Sequence, residues 1–86
     1  RNQARVAFSV NPNPSNGLFR LNIETPAQEN FNMTVRDAQG RSVYTANFDV
    51  NGTYRNDLDF TSFAKGVYYM QIQTETGTIV EKLIIQ

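Results

Sequence analysis

The amino-acid sequence predicts an all-β fold, an antiparallel β-sandwich of about seven strands. Apolar and polar residues alternate along most of the 86 residues. Successive side chains of a strand point to opposite faces, so each alternating segment indicates a strand with one buried face. Turn-forming Asn, Asp, Pro and Gly residues interrupt the alternation at even spacing. Short, evenly spaced strands in so small a chain are typical of an immunoglobulin-like sandwich.

The alternation places the strands at residues 6–10, 18–24, 31–36, 42–48, 54–60, 67–74 and 78–85. Apolar side chains that share a phase are expected to form one core: Phe19, Leu21, Ile23, Phe31, Met33, Val35, Met70 and Ile72. Two segments do not keep a single phase, since Val43 and Tyr44 fall on opposite faces, as do Val80 and Leu83. A β-bulge in each segment would bring both side chains to the core.

Two turns between strands have specific chemistry. Asn51-Gly52 is the strongest hairpin signal, because both residues tolerate the positive φ of a type I′ turn. The segment from Asp37 to Gly40 suits a type I turn, in which the aspartate accepts a hydrogen bond and the glycine takes positive φ. The chain is therefore expected to reverse tightly at both Asn51-Gly52 and residues 37–40.

Prolines and glycines also mark where the second and sixth strands begin. Pro12 and Pro14 restrict φ to about −65°, and with Asn13 and Gly17 they predict a stiff reversal before the second strand. Gly66, before Val67 and Tyr68, permits a sharp turn or a close approach of the backbone. In the sixth strand, Tyr68 is expected to pack inside and Tyr69 to face solvent.

Length and charge limit the domain count and the partners. The chain fits a single domain over residues 1–86, with residues 1–7 as a linker from an upstream segment. It starts at Arg1 rather than Met, so we expect it to be a piece of a longer protein. Eight basic and eight acidic residues are well mixed, so the sequence predicts no nucleic-acid partner. No apolar run is long enough for a membrane span.

The residue types argue against an enzyme. The sequence contains no histidine and no cysteine, which removes the usual general base, the thiolate nucleophile and most transition-metal ligands. Asp57 and Asp59 could share a strand face, but no second constellation supports catalysis. Together with Asp37 and Asp49 they lack the dense spacing of a calcium loop. We therefore expect no catalytic residue, metal, cofactor or small-molecule substrate.

Four motifs follow one another in a fixed order. They are Asn11-Pro12-Asn13-Pro14-Ser15-Asn16-Gly17, residues 35–41, residues 63–69 and residues 82–86. Together they resemble the type A C-terminal sorting domain of type IX secretion cargo, the Por secretion system of Bacteroidetes, over residues 8–86. The family's structural motif positions correspond to Pro12, Asn13, Pro14, Gly17, Asp37, Gly40, Gly66, Val67 and Tyr68. Phe63 stands where the family more often has leucine, a conservative apolar change.

The resemblance implies a secretion signal that directs an attached cargo protein through the outer membrane and is then removed by a sortase-like peptidase. The implied partners are the outer-membrane translocon, that peptidase and an upstream cargo domain in the same chain. The implied route passes through the periplasm and ends at the cell surface or outside the cell. No cofactor is implied.

The resemblance also places the translocon signal in the last strand, at Lys82, Leu83, Ile84, Ile85 and Gln86. Alternation predicts that Leu83 and Ile85 are buried, while Lys82 and Ile84 lie on the other face. If this strand lies at a sheet edge, its unpaired backbone groups would let a partner add a strand of its own.

Two other non-enzymatic functions compete with secretion. A carbohydrate-binding or adhesive module would need exposed aromatic rings, and without tryptophan only Tyr54 and Tyr69 could supply them. A plain spacer domain of fibronectin type is the other alternative. The absence of tryptophan and the motif at residues 82–86 argue against the spacer.

Overall fold

Seven strands make up the fold in a computed structural model that describes residues 7–75 and 77–86. In chain order they are β1 (Ala7–Asn11), β2 (Leu18–Glu24), β3 (Glu29–Arg36), β4 (Ser42–Val50), β5 (Thr53–Asp59), β6 (Gly66–Thr74) and β7 (Gly77–Ile85). Among these residues no helix could cross a membrane. β1 begins at the last residue of the expected linker, and Val6, assigned by alternation to the first strand, lies outside the described residues.

The strands form two antiparallel sheets with a common core. One sheet has the order β1-β2-β5 and the other has the order β4-β3-β6-β7. The chain therefore crosses from one sheet to the other after β2, after β4 and after β5. The predicted all-β sandwich of seven strands is confirmed.

The inward faces of both sheets meet in a single hydrophobic core. The apolar side chains predicted to share it are all 2% exposed or less: Phe19, Leu21, Ile23, Phe31, Met33, Val35, Met70 and Ile72. Phe48 of β4 stacks between Phe31 and Tyr54, with ring centroids 5.8 and 4.5 Å apart. Since Tyr54 belongs to β5, this stack joins the two sheets.

The Asn51-Gly52 turn connects the two sheets and does not close a hairpin. β4 lies at the edge of the four-stranded sheet, whereas β5 lies at the edge of the other sheet. Gly52 has φ +91°, but no non-glycine residue in the described part of the chain has positive φ, so Asn51 cannot occupy a type I′ turn. The hairpin prediction was wrong because Phe48 and Tyr54 meet face to face across the core, which separates their strands into different sheets.

The two phase irregularities have different explanations. Val35 pairs with Tyr44 and Arg36 with Ser42, so Val43 is the extra residue of a bulge and points outward. The expected bulge is therefore present, but it does not bring Val43 to the core. β7 pairs with β6 without a shift from Gly77 to Ile85, so the second predicted bulge is wrong. Val80 is simply an outward residue, 59% exposed, and Ile79 packs against the core in its place.

Candidate functional site

One end of the sandwich brings the four sequence motifs together. β6 starts and β7 finishes at this end, where Gly66 pairs with Ile85 and Val67 with Ile84. The β3–β4 turn lies beside them, because Arg36 at the end of β3 pairs with Tyr69. We call this region the motif end, and define it as residues 11–17, 36–41, 66–69 and 82–86.

The first motif runs along the edge of β7. The Asn13 carboxamide replaces a peptide group there: its Nδ2 donates to the Lys82 carbonyl at 2.7 Å, and its Oδ1 accepts from the Ile84 N–H at 3.0 Å. The Ser15 N–H donates to the Ile84 carbonyl at 3.0 Å, and the Gln86 N–H donates to the Ser15 carbonyl at 2.9 Å. Residues about 70 positions apart in sequence thus form one hydrogen-bonded unit.

These hydrogen bonds correct the expected mode of recognition. β7 is an edge strand of its sheet, as the prediction required. However, the carbonyls of Lys82 and Ile84 and the N–H groups of Ile84 and Gln86 are already bonded to the first motif. A partner strand could be added here only after Asn13 and Ser15 were displaced, so this part of the edge is closed to strand addition.

Ser15 is a structural residue that the sequence analysis did not single out. It is only 8% exposed, and its hydroxyl donates to the Leu18 carbonyl at 2.6 Å while accepting from the Gly17 N–H at 2.9 Å. A buried hydroxyl needs such partners. A serine two residues before a glycine, in a segment rich in Pro and Asn, was the available signal for this local turn.

Gly17 is required by close packing as well as by its backbone angle. Its φ is +119°, and a Cβ built on it would lie 2.7 Å from the Thr61 Cα and 2.9 Å from the Phe60 carbonyl carbon. Its own carbonyl accepts from the Phe60 N–H at 2.7 Å. Because the neighbouring atoms belong to the backbone, no side-chain movement can relieve the overlap.

We expect Gly17→Ala to lower the free energy of unfolding by more than about 2 kcal/mol, since positive φ alone costs roughly 1–2 kcal/mol and steric overlap adds to it. Gly40→Ala is the matched control, with φ +88° but no atom within 4 Å of the place that its Cβ would occupy. Urea denaturation of both variants measures the difference. Equal losses would show that the segment moves away from Thr61 without cost.

Asp37 organises the turn of the second motif. Its Oδ1 accepts from the N–H groups of Gln39 and Arg41, at 3.0 and 2.9 Å, and its Oδ2 accepts from the Arg41 Nε at 2.9 Å. The hydrogen bond from the Arg41 N–H is the main cause that holds the pKa of Asp37 below its ordinary value. The Gly40 N–H closes the turn on the Asp37 carbonyl at 2.9 Å, as predicted.

The third motif alternates between core and surface. Tyr68 is 6% exposed, its hydroxyl donates to the Ala64 carbonyl, and its ring packs 5.8 Å from that of Phe63. Tyr69 is 43% exposed, so both tyrosine predictions are confirmed. Gly66 has φ +149° but open space at its Cβ position, so it serves the entry into β6 and not a close approach.

The last motif is divided between the two faces of β7. Leu83 and Ile85 are buried in the core, and the predicted phase of this strand is confirmed. Lys82 and Gln86 are exposed, and Ile84 is half-buried. The outward side chains at this end are therefore held on a strand that is fixed from inside by the core and along its edge by the first motif.

Of the other candidate residues, Asp57 and Asp59 lie on β5 beside the first residues of β2, and Tyr54 points into the sandwich. Arg20, at 2.9 Å, holds the pKa of Asp57 below its ordinary value, and hydrogen bonds from Thr61 do the same for the pKa of Asp59. A carboxyl group that acts as a general acid needs a raised pKa, whereas the pKa values of Asp57 and Asp59 are both lowered. Tyr54 is half-buried against Phe48, and burial raises the pKa of its hydroxyl. In the described part of the chain, no group of three acidic side chains could hold a metal ion.

Comparison with known proteins agrees with the resemblance drawn from the motifs. A family model described as the secretion system C-terminal sorting domain matches residues 9–86, a range that contains all four motifs. No curated protein matches the chain. The chain belongs to the family of secretion system C-terminal sorting domains, which are signals of type IX secretion.

Proposed function

We propose that this chain directs an attached cargo protein through the outer membrane by type IX secretion, and that the secretion machinery recognises the folded motif end. The observation that carries the proposal is that four separate sequence motifs meet at one end of the sandwich. Family membership supports the sorting role. On this proposal the chain acts as a signal and catalyses no reaction itself.

The geometry favours recognition of the folded domain over recognition of an unfolded tail. Asn13 and Ser15 hold β7 from its edge, and Leu83 and Ile85 hold it from the core. A surface that is rigid before binding loses little conformational entropy when a partner binds it. The outward side chains of residues 82–86 are thus preorganised for a docking partner.

The position of β1 would keep an upstream cargo away from the motif end. Ala7 pairs with Glu24, whereas Asn11 pairs with Arg20, so β1 starts at the end of the sandwich opposite the motif end. A cargo domain attached before Ala7 would leave from that opposite end and would not cover the motif end. On this proposal residues 1–86 form the sorting unit. The unit passes the periplasm with its cargo and is removed by a sortase-like peptidase outside.

A fusion protein tests the sorting role directly. We expect residues 1–86, placed after a fluorescent protein with an inner-membrane signal peptide, to bring that protein to the surface or medium of a type IX-competent cell. The same fusion in a strain without the translocon should stay in the periplasm. Periplasmic retention of a folded fusion in the competent strain would contradict the proposal.

Carbohydrate binding is the second candidate, and the exposed ring of Tyr69 is the observation that favours it. Tyr54 does not add a second platform, because it stacks on Phe48 at 4.5 Å inside the sandwich. A glycan array probed with the chain and with Tyr69→Ala separates the two candidates. Binding that depends on Tyr69, without export of the fusion, would favour the adhesive module.

A further inference from the structure

We infer that the outer face of the four-stranded sheet at the motif end docks an acidic protein segment of the secretion machinery. The docking row consists of Arg36, Tyr69 and Lys82, one residue from each of three neighbouring strands. The inference rests on the proposed function and adds to it the chemistry of the partner.

The docking row is set by the register of the sheet. Arg36 of β3 pairs with Tyr69 of β6, and Tyr69 pairs with Lys82 of β7. Paired residues on one face have Cβ atoms about 4.5–5.5 Å apart. All three side chains are exposed, so an aromatic ring lies between two cations on an accessible surface.

Among the described residues, the cations of the docking row have no carboxylate partner at salt-bridge distance. Arg20 and Arg41 form salt bridges at 2.9 Å, but within the described residues neither Arg36 nor Lys82 lies near enough to an acidic group to do so. Asp37, next to Arg36 in sequence, is already bonded to Arg41. Two charges that no internal partner neutralises are available to a partner of opposite sign.

The net charge is zero, but cations and anions are not evenly paired along the sandwich. Acidic residues lie at both ends, but at the motif end Asp37 and Asp57 are paired with Arg41 and Arg20. At the opposite end the Glu75 N–H donates to the Glu29 carboxylate at 3.0 Å and the Asn30 amide donates to Asp49 at 2.8 Å, and within the described residues neither carboxylate forms a salt bridge. Glu24 lies at the same end of β2. An acidic partner would thus be attracted to the docking row and repelled from the opposite end.

Protection of the sheet edge does not account for Lys82. Lysine on an edge strand commonly prevents unwanted strand pairing. Here the edge at Lys82 is already closed, because its carbonyl accepts from Asn13. Farther along β7, within the described residues no loop is hydrogen-bonded to the strand edge at Val80, which is 59% exposed. A lysine that protected an open edge would be expected at that position, where the chain has valine. Lys82 therefore acts on the face of the sheet and not along its edge.

Apolar groups beside the docking row favour a protein over an anionic glycan. Val67 and Ile84 pair with each other next to the row, and both are half-buried. Exposed Val80 follows on the other side of Lys82. An aromatic ring and a cation beside apolar side chains are the composition of a protein-binding hot spot. A partner segment that carries Asp or Glu next to apolar residues would pair with the cations and cover the apolar side chains.

Charge reversal in the exported fusion tests this inference. We expect Lys82→Glu to reduce the cargo found outside the cell by about tenfold or more, and Arg36→Glu/Lys82→Glu to reduce it further, since like charges oppose docking. Arg55→Glu is the matched control, an exposed cation on a strand of the other sheet with the same change in charge. It should export normally. Melting temperatures should stay within about 3 °C for all variants.

A photo-reactive amino acid at Tyr69 identifies the partner during export, with position Thr53 as the control site. We expect a crosslink from position 69 to a segment rich in Asp and Glu. A crosslink to polysaccharide or to a basic segment would overturn the inference, as would normal export of the double variant or equal loss with Arg55→Glu. Failure of the unmodified fusion to leave the cell would instead overturn the proposed function, and the docking inference with it.

Discussion

Phe31→Ala is expected to lower the free energy of unfolding by about 3–5 kcal/mol. Phe31 is fully buried on β3, which lies between β4 and β6 in the four-stranded sheet. Its ring stacks on Phe48 at 5.8 Å, in the stack that joins the two sheets. Small domains have a total stability of roughly 5–10 kcal/mol, so this single cavity threatens the fold.

Urea denaturation and thermal melts of the purified chain measure the effect of Phe31→Ala. Tyr69→Ala is the matched control, an aromatic residue on the neighbouring strand that faces outward and should cost less than about 1 kcal/mol. A melting temperature unchanged by Phe31→Ala would mean that the phase of β3 is wrong. We expect export of the fusion that carries Phe31→Ala to fall in proportion to the loss of folded domain.

The faces of the strands could be predicted from the sequence because the side-chain period of a strand is local. Tyr68 and Tyr69 are identical and adjacent, yet alternation assigned the first to the core and the second to solvent, and the structure agrees. The same local pattern placed Leu83 and Ile85 inside. Alternation alone cannot distinguish a bulge from an exposed valine. It predicts a bulge at both Val43 and Val80, whereas the structure has one at Val43 only.

The contacts between segments could not be predicted from the same pattern. The Asn51-Gly52 turn has hairpin chemistry, but the pairing of its flanking strands depends on how the two sheets close around the core. The hydrogen bonds of Asn13 to β7 join residues about 70 positions apart, and a side-chain amide in place of a peptide group leaves no periodic signal. The motifs could therefore be recognised singly, whereas their convergence needed the three-dimensional structure.

Deletion of residues 82–86 is expected to abolish export of the fusion, but for two reasons that must be separated. Leu83 and Ile85 belong to the core, and Leu83→Ala alone should cost about 2–5 kcal/mol. The deletion also removes the β7 partners of Asn13 and Ser15, so the first motif loses its hydrogen bonds to β7. Loss of export after the deletion alone therefore cannot distinguish an unfolded domain from a missing recognition surface.

Point variants within the same five residues distinguish the two reasons. Lys82→Ala and Ile84→Ser change outward side chains, while the backbone groups bonded to Asn13 and Ser15 stay in place. We expect both variants to keep a melting temperature within about 3–5 °C of the unmodified chain and yet to export poorly. Leu83→Ala and Ile85→Ala should lose stability and export together, and growth at lower temperature should restore both. If the outward variants export normally and only the core variants fail, the recognised surface lies elsewhere, and β7 serves the fold alone.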